Sequence, residues 1–332
     1  MTAKLQAPFP YFGGKIRVAD LVWERFGRVH RYNEPFAGSL AVLLAAPDDP
    51  RRVETVNDLD GMIANFWRAV SADAETVAQY ADWPVNENDL HARHIWLVNR
   101  KESLQDKLEG DPHYYDPKIA GWWVWGISCW IGGGFCSGEG PWNTDGEKIV
   151  KVDTGEGVKR RLVHLGNSGQ GVHKNLVHLG DGGRGVHKNR DLRAWFAALQ
   201  ARLRRVRVCC GDWSRVCGRS ALRNHEPDTT AVFLDPPYSN DERESGVYSH
   251  DDGSVAADVR QWAIEQGEDK RMRIALCGYE GEHEMPPSWA KVEWKTKGGY
   301  GSQGQGRGRE NQTRERIWFS PHCLRGKQGS LF

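Results

Sequence analysis

The sequence predicts an open α/β fold on a parallel sheet, interrupted by one long insertion. Three observations carry this. Strand-like and helix-like segments alternate through the first 70 residues and again after residue 190. The apolar run Ala231-Val232-Phe233-Leu234 stops abruptly at Asp235-Pro236-Pro237-Tyr238, where two prolines forbid further ladder hydrogen bonds. Residues 71–190 differ in composition from both flanks.

The elements follow in order. Residues 8–15, Pro-Phe-Pro-Tyr-Phe-Gly-Gly-Lys, form a Gly- and Pro-rich loop. A helix follows with Val18, Leu21, Val22 and Phe26 on one face and Gly27 as its stop. Residues 32–36 end a strand, and Gly38-Ser39 turns into an apolar helix over residues 40–46. Residues 55–58 end a second strand, and residues 62–70 continue as a helix. That rhythm belongs to a parallel sheet. After the insertion come a helix over 192–203, a strand over 206–210 ending at Gly211-Asp212-Trp213, and the strand 231–234. A helix over 255–264 and strands over 273–277 and 316–319 complete the sheet, with a Gly-, Gln- and Arg-rich segment, 298–309, before the last strand.

The insertion divides in two. Residues 71–145 hold Trp83, Trp96, Trp122, Trp123, Trp125, Trp130 and Trp142, seven of the chain's 15 tryptophans. Residues 119–131 are apolar all round and predict a buried helix, broken by Gly132-Gly133-Gly134. Tryptophans so spaced predict core more than base-stacking platforms. Residues 162–175 and 176–189 form a tandem repeat of period 14, each copy reading as a Gly-turned β-hairpin. Two copies are too few for a solenoid. Their histidines lack carboxylate or thiol partners in register, so no metal site is expected.

Bulk properties narrow the function. At 332 residues the chain can hold one large domain, or a core domain with a substantial insertion. It carries 45 basic and 44 acidic residues, so net charge alone announces no partner. Distribution does: residues 148–207 hold 14 Lys plus Arg against 4 Asp plus Glu. A basic stretch on an otherwise acidic chain is the footprint of a phosphate-binding surface; a solvated helix face is the plainer alternative. Seven cysteines, an odd number, make no secreted disulfide framework. No run approaches about 18 uncharged apolar residues and no signal peptide opens the chain. A soluble, cytoplasmic protein of a reducing compartment, with no membrane partner, is expected.

Chemistry gathers at the predicted strand ends, where open α/β sheets bind ligands. Asp235, the Pro236 carbonyl and the Tyr238 ring suit the gripping of a planar base by its amino group. The carboxylate and carbonyl accept the amino hydrogens, and the ring stacks on the face. A plain strand exit and turn is the alternative for this tetrapeptide. At another end, Glu34-Pro35-Phe36-Ala37-Gly38-Ser39 enters a helix whose N-terminus favours a ligand carboxylate, such as that of S-adenosylmethionine. Asp58 stands at the next strand end, where an acid can accept two ribose hydroxyls. NAD competes as ligand, but its three spaced glycines are missing. Asp212 and Trp213 could flank an adenine ring.

In this order the motifs resemble the Dam-like family of N6-adenine-specific DNA methyltransferases: Tyr11-Phe12-Gly13-Gly14-Lys15, Glu34-Pro35-Phe36-Ala37-Gly38-Ser39, Asn57-Asp58 and Asp235-Pro236-Pro237-Tyr238. The cofactor motif before the catalytic one is similar to the α arrangement, and the Trp-rich stretch and repeat are similar to a phage or prophage subgroup. The resemblance covers residues 8–70 and 192–320. It implies a Rossmann-like class I methyltransferase sheet, with residues 1–70 and 191–332 as catalytic domain and 71–190 as a helical and hairpin target-recognition domain. It implies methyl transfer from S-adenosylmethionine, leaving S-adenosylhomocysteine, to the N6 amine of a flipped adenine in double-stranded DNA, with no metal.

Asp235, Pro236, Pro237 and Tyr238 would carry the chemistry. Tyr11, Phe12, Gly14, Lys15, Glu34, Pro35, Phe36, Gly38, Ser39, Asp58, Asp212 and Trp213 would hold the cofactor, with Lys15 and Tyr11 at its methionine end. His173, Lys174, Arg184, His187 and Lys188 are the expected DNA contacts. One departure stands out: the family usually has Gly where this chain has Leu40. If that residue starts the helix, Leu is tolerable; if the methionine moiety must pass it, cofactor affinity suffers. Methylation of cytosine or RNA, and a non-catalytic DNA-binding scaffold, remain the alternatives. The recognition sequence, a restriction endonuclease partner and the oligomeric state stay open.

Overall fold

The structure is a computed structural model that describes residues 5–9, 11, 14–130, 135–136, 191–222, 228–237, 255–294 and 314–325, with the backbone alone of 142–144, 149–151 and 253–254. The first half runs α1 (Ala19–Phe26), β1 (Arg31–Glu34), α2 (Ala41–Leu44), β2 (Val53–Asp58), α3 (Gly61–Ala81), α4 (Glu87–Val98), α5 (Lys101–Gly110) and α6 (Pro117–Cys129). A two-stranded antiparallel pair follows, β3 (Trp142–Thr144) and β4 (Ile149–Lys151). Then come α7 (Leu192–Leu203), β5 (Val206–Cys210), a 3-10 turn at Trp213–Val216 and α8 (Arg219–Leu222). The chain finishes with β6 (Thr230–Leu234), α9 (Gly253–Gly267), β7 (Met272–Tyr279), β8 (Ala290–Glu293) and β9 (Glu315–Phe319).

The main sheet has seven strands in the order β5-β2-β1-β6-β7-β9-β8. β5 through β7 pair in parallel, while β9 is antiparallel to both β7 and β8. This mixed α/β architecture, with a mostly parallel sheet, is consistent with the Rossmann-like sheet expected from the sequence. β1 pairs with β2 on one side and with β6, far along the chain, on the other. The winding reverses between β1 and β6, and ligands bind in the crevice outside strand ends at such a point. Glu34 and Asp235 stand at those two ends.

Strand alternation splits the core between the two sheet faces. Ala231 and Phe233 of β6, with Ala275 and Cys277 of β7, join the larger cluster, which also takes α1, α3, α6 and α7. Val232, Leu234, Met272, Ile274 and Leu276 join the smaller one beneath Val259 and Ala263 of α9.

Helix ends obey local chemistry. Asp60, Asn86, Asp116 and Asp191 cap α3, α4, α6 and α7 by accepting backbone N–H bonds, and Gly27, at φ +57, ends α1. α3 runs on past residue 70, with a kink at Asp73. Leu90, Leu104, Leu108, Ile119 and Trp123 then enter the same large cluster as the sheet. Asn65 and Asp116 exchange reciprocal bonds of 2.9 and 2.8 Å, fastening α6 to α3. Trp123, Trp125 and Trp130 are buried, whereas Trp83 is 46 % exposed. All seven cysteines are free. No helix among the described residues is long and apolar enough to cross a membrane.

Candidate active site

The exits of β1 and β6 border one cavity. It is lined by Tyr11, Gly14 and Lys15, by Glu34 and residues 36–39, by Ala41, Phe233 and Asp235. The glycine turn and the proline-flanked acid, far apart in sequence, therefore share one space.

The turn is held from three sides. Gly38 N–H donates to Asp58 Oδ2 at 2.8 Å, and the Trp67 indole donates to Gly38 O at 2.9 Å. Gly38 adopts φ +44, and a Cβ there would lie 2.4 Å from Tyr11 Cε1, so glycine is required by both backbone and neighbour. Asn57 Nδ2 donates to Pro35 O at 3.1 Å and to Gly211 O at 2.8 Å. One amide thus ties the β1 exit to the β5 exit. Phe36 stacks on Trp213 with ring centroids 6.4 Å apart.

Lys15 Nζ lies 2.9 Å from Asp235 Oδ2 and 3.7 Å from Glu315 Oε2. Burial makes charge matter here. Glu34, 2 % exposed, accepts the Tyr32 hydroxyl at 2.8 Å and Leu43 N–H at 3.3 Å. Burial pushes its carboxyl up to about 8, Asp235 adds to this, and those two hydrogen bonds oppose it. Burial likewise raises Asp58 to about 7, against the Gly38 N–H bond.

Of the expected cofactor residues, Tyr11, Gly14, Lys15, Glu34, Phe36, Gly38 and Ser39 line the cavity, as does Asp235. Asp58 stands behind the turn and braces it. Pro35 contributes its carbonyl to the Asn57 clamp. Trp213 reaches the cavity through Phe36. Asp212 is exposed and caps the 3-10 turn by accepting from Ser214 N–H at 2.9 Å. Pro236 is buried and Pro237 half-buried just past β6. Phe12, Tyr238, His173, Lys174, Arg184, His187 and Lys188 lie outside the described residues.

Leu40 is the N-cap of α2, at φ +54, with its side chain wholly buried in the core and absent from the cavity lining. It starts the helix and does not line the cavity, but its backbone takes the left-handed form that L side chains disfavour. Sequence reasoning missed Glu315, Tyr32 and Trp67. Glu315 left one signal, an acid heading the strand Glu-Arg-Ile-Trp-Phe.

The donor set fits S-adenosylmethionine. Its acidic groups stand at adjoining strand ends beside a glycine turn, and aromatic rings flank one side, which matches a cationic ligand carrying a ribose and a base. Among the described residues no cluster of three or more His, Cys, Asp or Glu could hold a metal ion. Residues 11–115 match the family described as D12 class N6 adenine-specific DNA methyltransferase. The match spans the Tyr11 loop, the Gly38 turn and Asp58, and ends before Asp235. No curated protein matches the chain.

Proposed function

We propose that the chain is a D12 class N6 adenine-specific DNA methyltransferase, as the match over residues 11–115 supports, and that the cavity between β1 and β6 is where a flipped adenine meets S-adenosylmethionine. The observation that carries this is the cavity itself, bordered at once by the Gly38 turn and by Asp235.

S-adenosylmethionine supplies an electrophilic methyl group on its sulfonium. The turn at residues 36–39 and Tyr11 would hold its methionine end, Asp58 would brace that turn from behind, and Phe36 with Trp213 would flank its base. Asp235 accepts one hydrogen of the adenine amine, and the Pro236 carbonyl accepts the other. Pulling on both frees the nitrogen lone pair from the ring. Tyr238 stacks on the extruded base, which leaves the duplex at about a few kcal/mol of unstacking. The ion pair to Lys15 orients Asp235 before the base arrives, and orientation supplies much of the rate. The surplus amine proton departs along its hydrogen bond to the Asp235 carboxylate.

Residues 71–190 act as the target-recognition part, set between catalytic parts 1–70 and 191–332. Their basic stretch, with His173, Lys174, Arg184, His187 and Lys188, meets the phosphates of double-stranded DNA. S-adenosylhomocysteine is the expected second product.

Incubating the chain with duplex DNA and S-adenosylmethionine, then digesting the DNA to nucleosides, is expected to yield N6-methyldeoxyadenosine within one sequence context. N4-methyldeoxycytidine, or methylation of RNA alone, would overturn the reading.

A further inference from the structure

Lys15 is a buried cation, 3 % exposed, shared by two carboxylates. Asp235 comes from the β6 exit. Glu315, itself 5 % exposed, heads β9 opposite Tyr279 of β7. The Trp294 ring, past β8, closes a further side with its centroid 5.8 Å from Nζ. Glu315 has no part in the glycine turn or in the proline-flanked motif.

A buried carboxylate is costly unless partnered. The partner of Glu315 is the same ammonium that holds the acid of the proposed chemistry. Asp235, Lys15 and Glu315 therefore form one electrostatic unit with two negative charges to one positive. The groups facing this unit are Glu34 from β1 and the Cys277 thiol from β7. Cys277 is pushed up first by burial and then by Asp235, Glu315 and Glu34, with Lys15 opposing.

The chemistry needs a negative site. Positive charge develops on the amine nitrogen as it takes the methyl group, and preorganised opposite charge stabilises it. A lone Lys–Asp pair is neutral overall and offers little. A second carboxylate on Lys15 draws the ammonium's field away from Asp235 and leaves that acid the stronger acceptor.

We propose that Glu315 is a positioning residue of methyl transfer, acting through Lys15 to fix Asp235 and to keep the trio net negative beside the reacting amine. The inference rests on the Asp235 reading given above.

The test is single-turnover methylation of duplex DNA by the full chain at saturating S-adenosylmethionine, from acid to alkaline pH. Glu315→Gln keeps the shape and removes the charge. Its plateau rate is expected to fall about tenfold or more. Its dissociation constant for S-adenosylmethionine should stay within about threefold of wild type. Glu315→Asp, which keeps the charge at longer reach, should fall between the two.

A Glu315→Gln protein with a wild-type plateau rate overturns the inference, as does a rate loss matched by lost cofactor affinity. Should Glu315→Gln fail to fold, wild-type behaviour of Glu315→Asp overturns it instead. A wild-type chain that methylates no adenine overturns the underlying reading, which separates the two failures.

Discussion

Lys15 Nζ and Asp235 Oδ2 stand 2.9 Å apart, joining the loop before α1 to the exit of β6. The contact crosses from one end of the sequence towards the other and sets the carboxylate's direction. Asp235→Ala is expected to lower the single-turnover rate by about two to four orders of magnitude. Cofactor affinity, read by calorimetry, should change little, because the Gly38 turn is untouched. Near-normal turnover would refute the assignment of Asp235.

Gly38→Ala tests the turn. The new methyl would meet the Tyr11 ring at 2.4 Å on a backbone at φ +44. Denaturant unfolding should show a loss of about 1–3 kcal/mol. Cofactor affinity should weaken as Tyr11 is pushed aside. A stable variant with unchanged affinity would remove Tyr11 and Gly38 from the cofactor's wall.

Leu40 offers an inversion of ordinary preference. Its side chain is fully buried while its φ is +54. Truncation to Ala keeps the strained backbone and loses packing worth about 2–5 kcal/mol. Leu40→Gly loses the same packing but relieves the left-handed strain, about 1 kcal/mol. Leu40→Gly should therefore unfold at higher denaturant than Leu40→Ala. The opposite order would show that the strain is absent.

Glu34 predicts a pH dependence of stability. Its carboxyl is raised to about 8 in the fold, well above the unfolded value, so the folded chain binds the extra proton. Stability from this group is greatest below about pH 4.5 and declines as pH rises towards 8, by at most about 1.4 kcal/mol per unit. Glu34→Gln removes this group's share of the decline, leaving that of Asp58. Unfolding free energies at pH 5.5, 7 and 8.5, roughly spanning that window, should show the variant gaining on wild type as pH rises. A constant difference would count against the raised carboxyl.

The expected DNA contacts can be read through salt. Replacing Lys174, Arg184 and Lys188 together by Ala should weaken binding to all duplex sequences alike. The slope of log affinity against log salt should shrink by up to about 0.9 for each phosphate that is no longer neutralised. An unchanged slope would move the interface elsewhere.

Much of this was legible because the signals were local. The apolar run 231–234 and its prolines predict β6 and its end, and α7 lies at residues 192–203 as periodicity predicts. Shared lining by the Gly38 turn and Asp235 follows from strand ends in an open sheet. β8 was not legible: Ala-Lys-Val-Glu is a charged, mostly exposed edge that exists by pairing with β9. The helix expected over residues 62–70 runs on to Ala81 with a kink at Asp73, since Val77 and Tyr80 meet Gly121 of α6 and Ser71 donates to Leu203 O of α7. The tryptophan signal of this region hides α4 and α5, although Asn86 with Asp89 spells a cap. Glu315 was invisible as a site residue because only antiparallel pairing brings β9 beside Lys15.

α6 and α7 both rest on α3: Gly121 fits against Tyr80, and Phe196 meets Phe66 edge-on. The tract from the end of one helix to the start of the other, which includes the paired 14-residue copies, is thus moored at both ends to the body that holds the reactive groups. On the proposed reading of residues 71–190, exchanging copies there would alter the choice of target and leave the transfer step to the sheet ends that hold it.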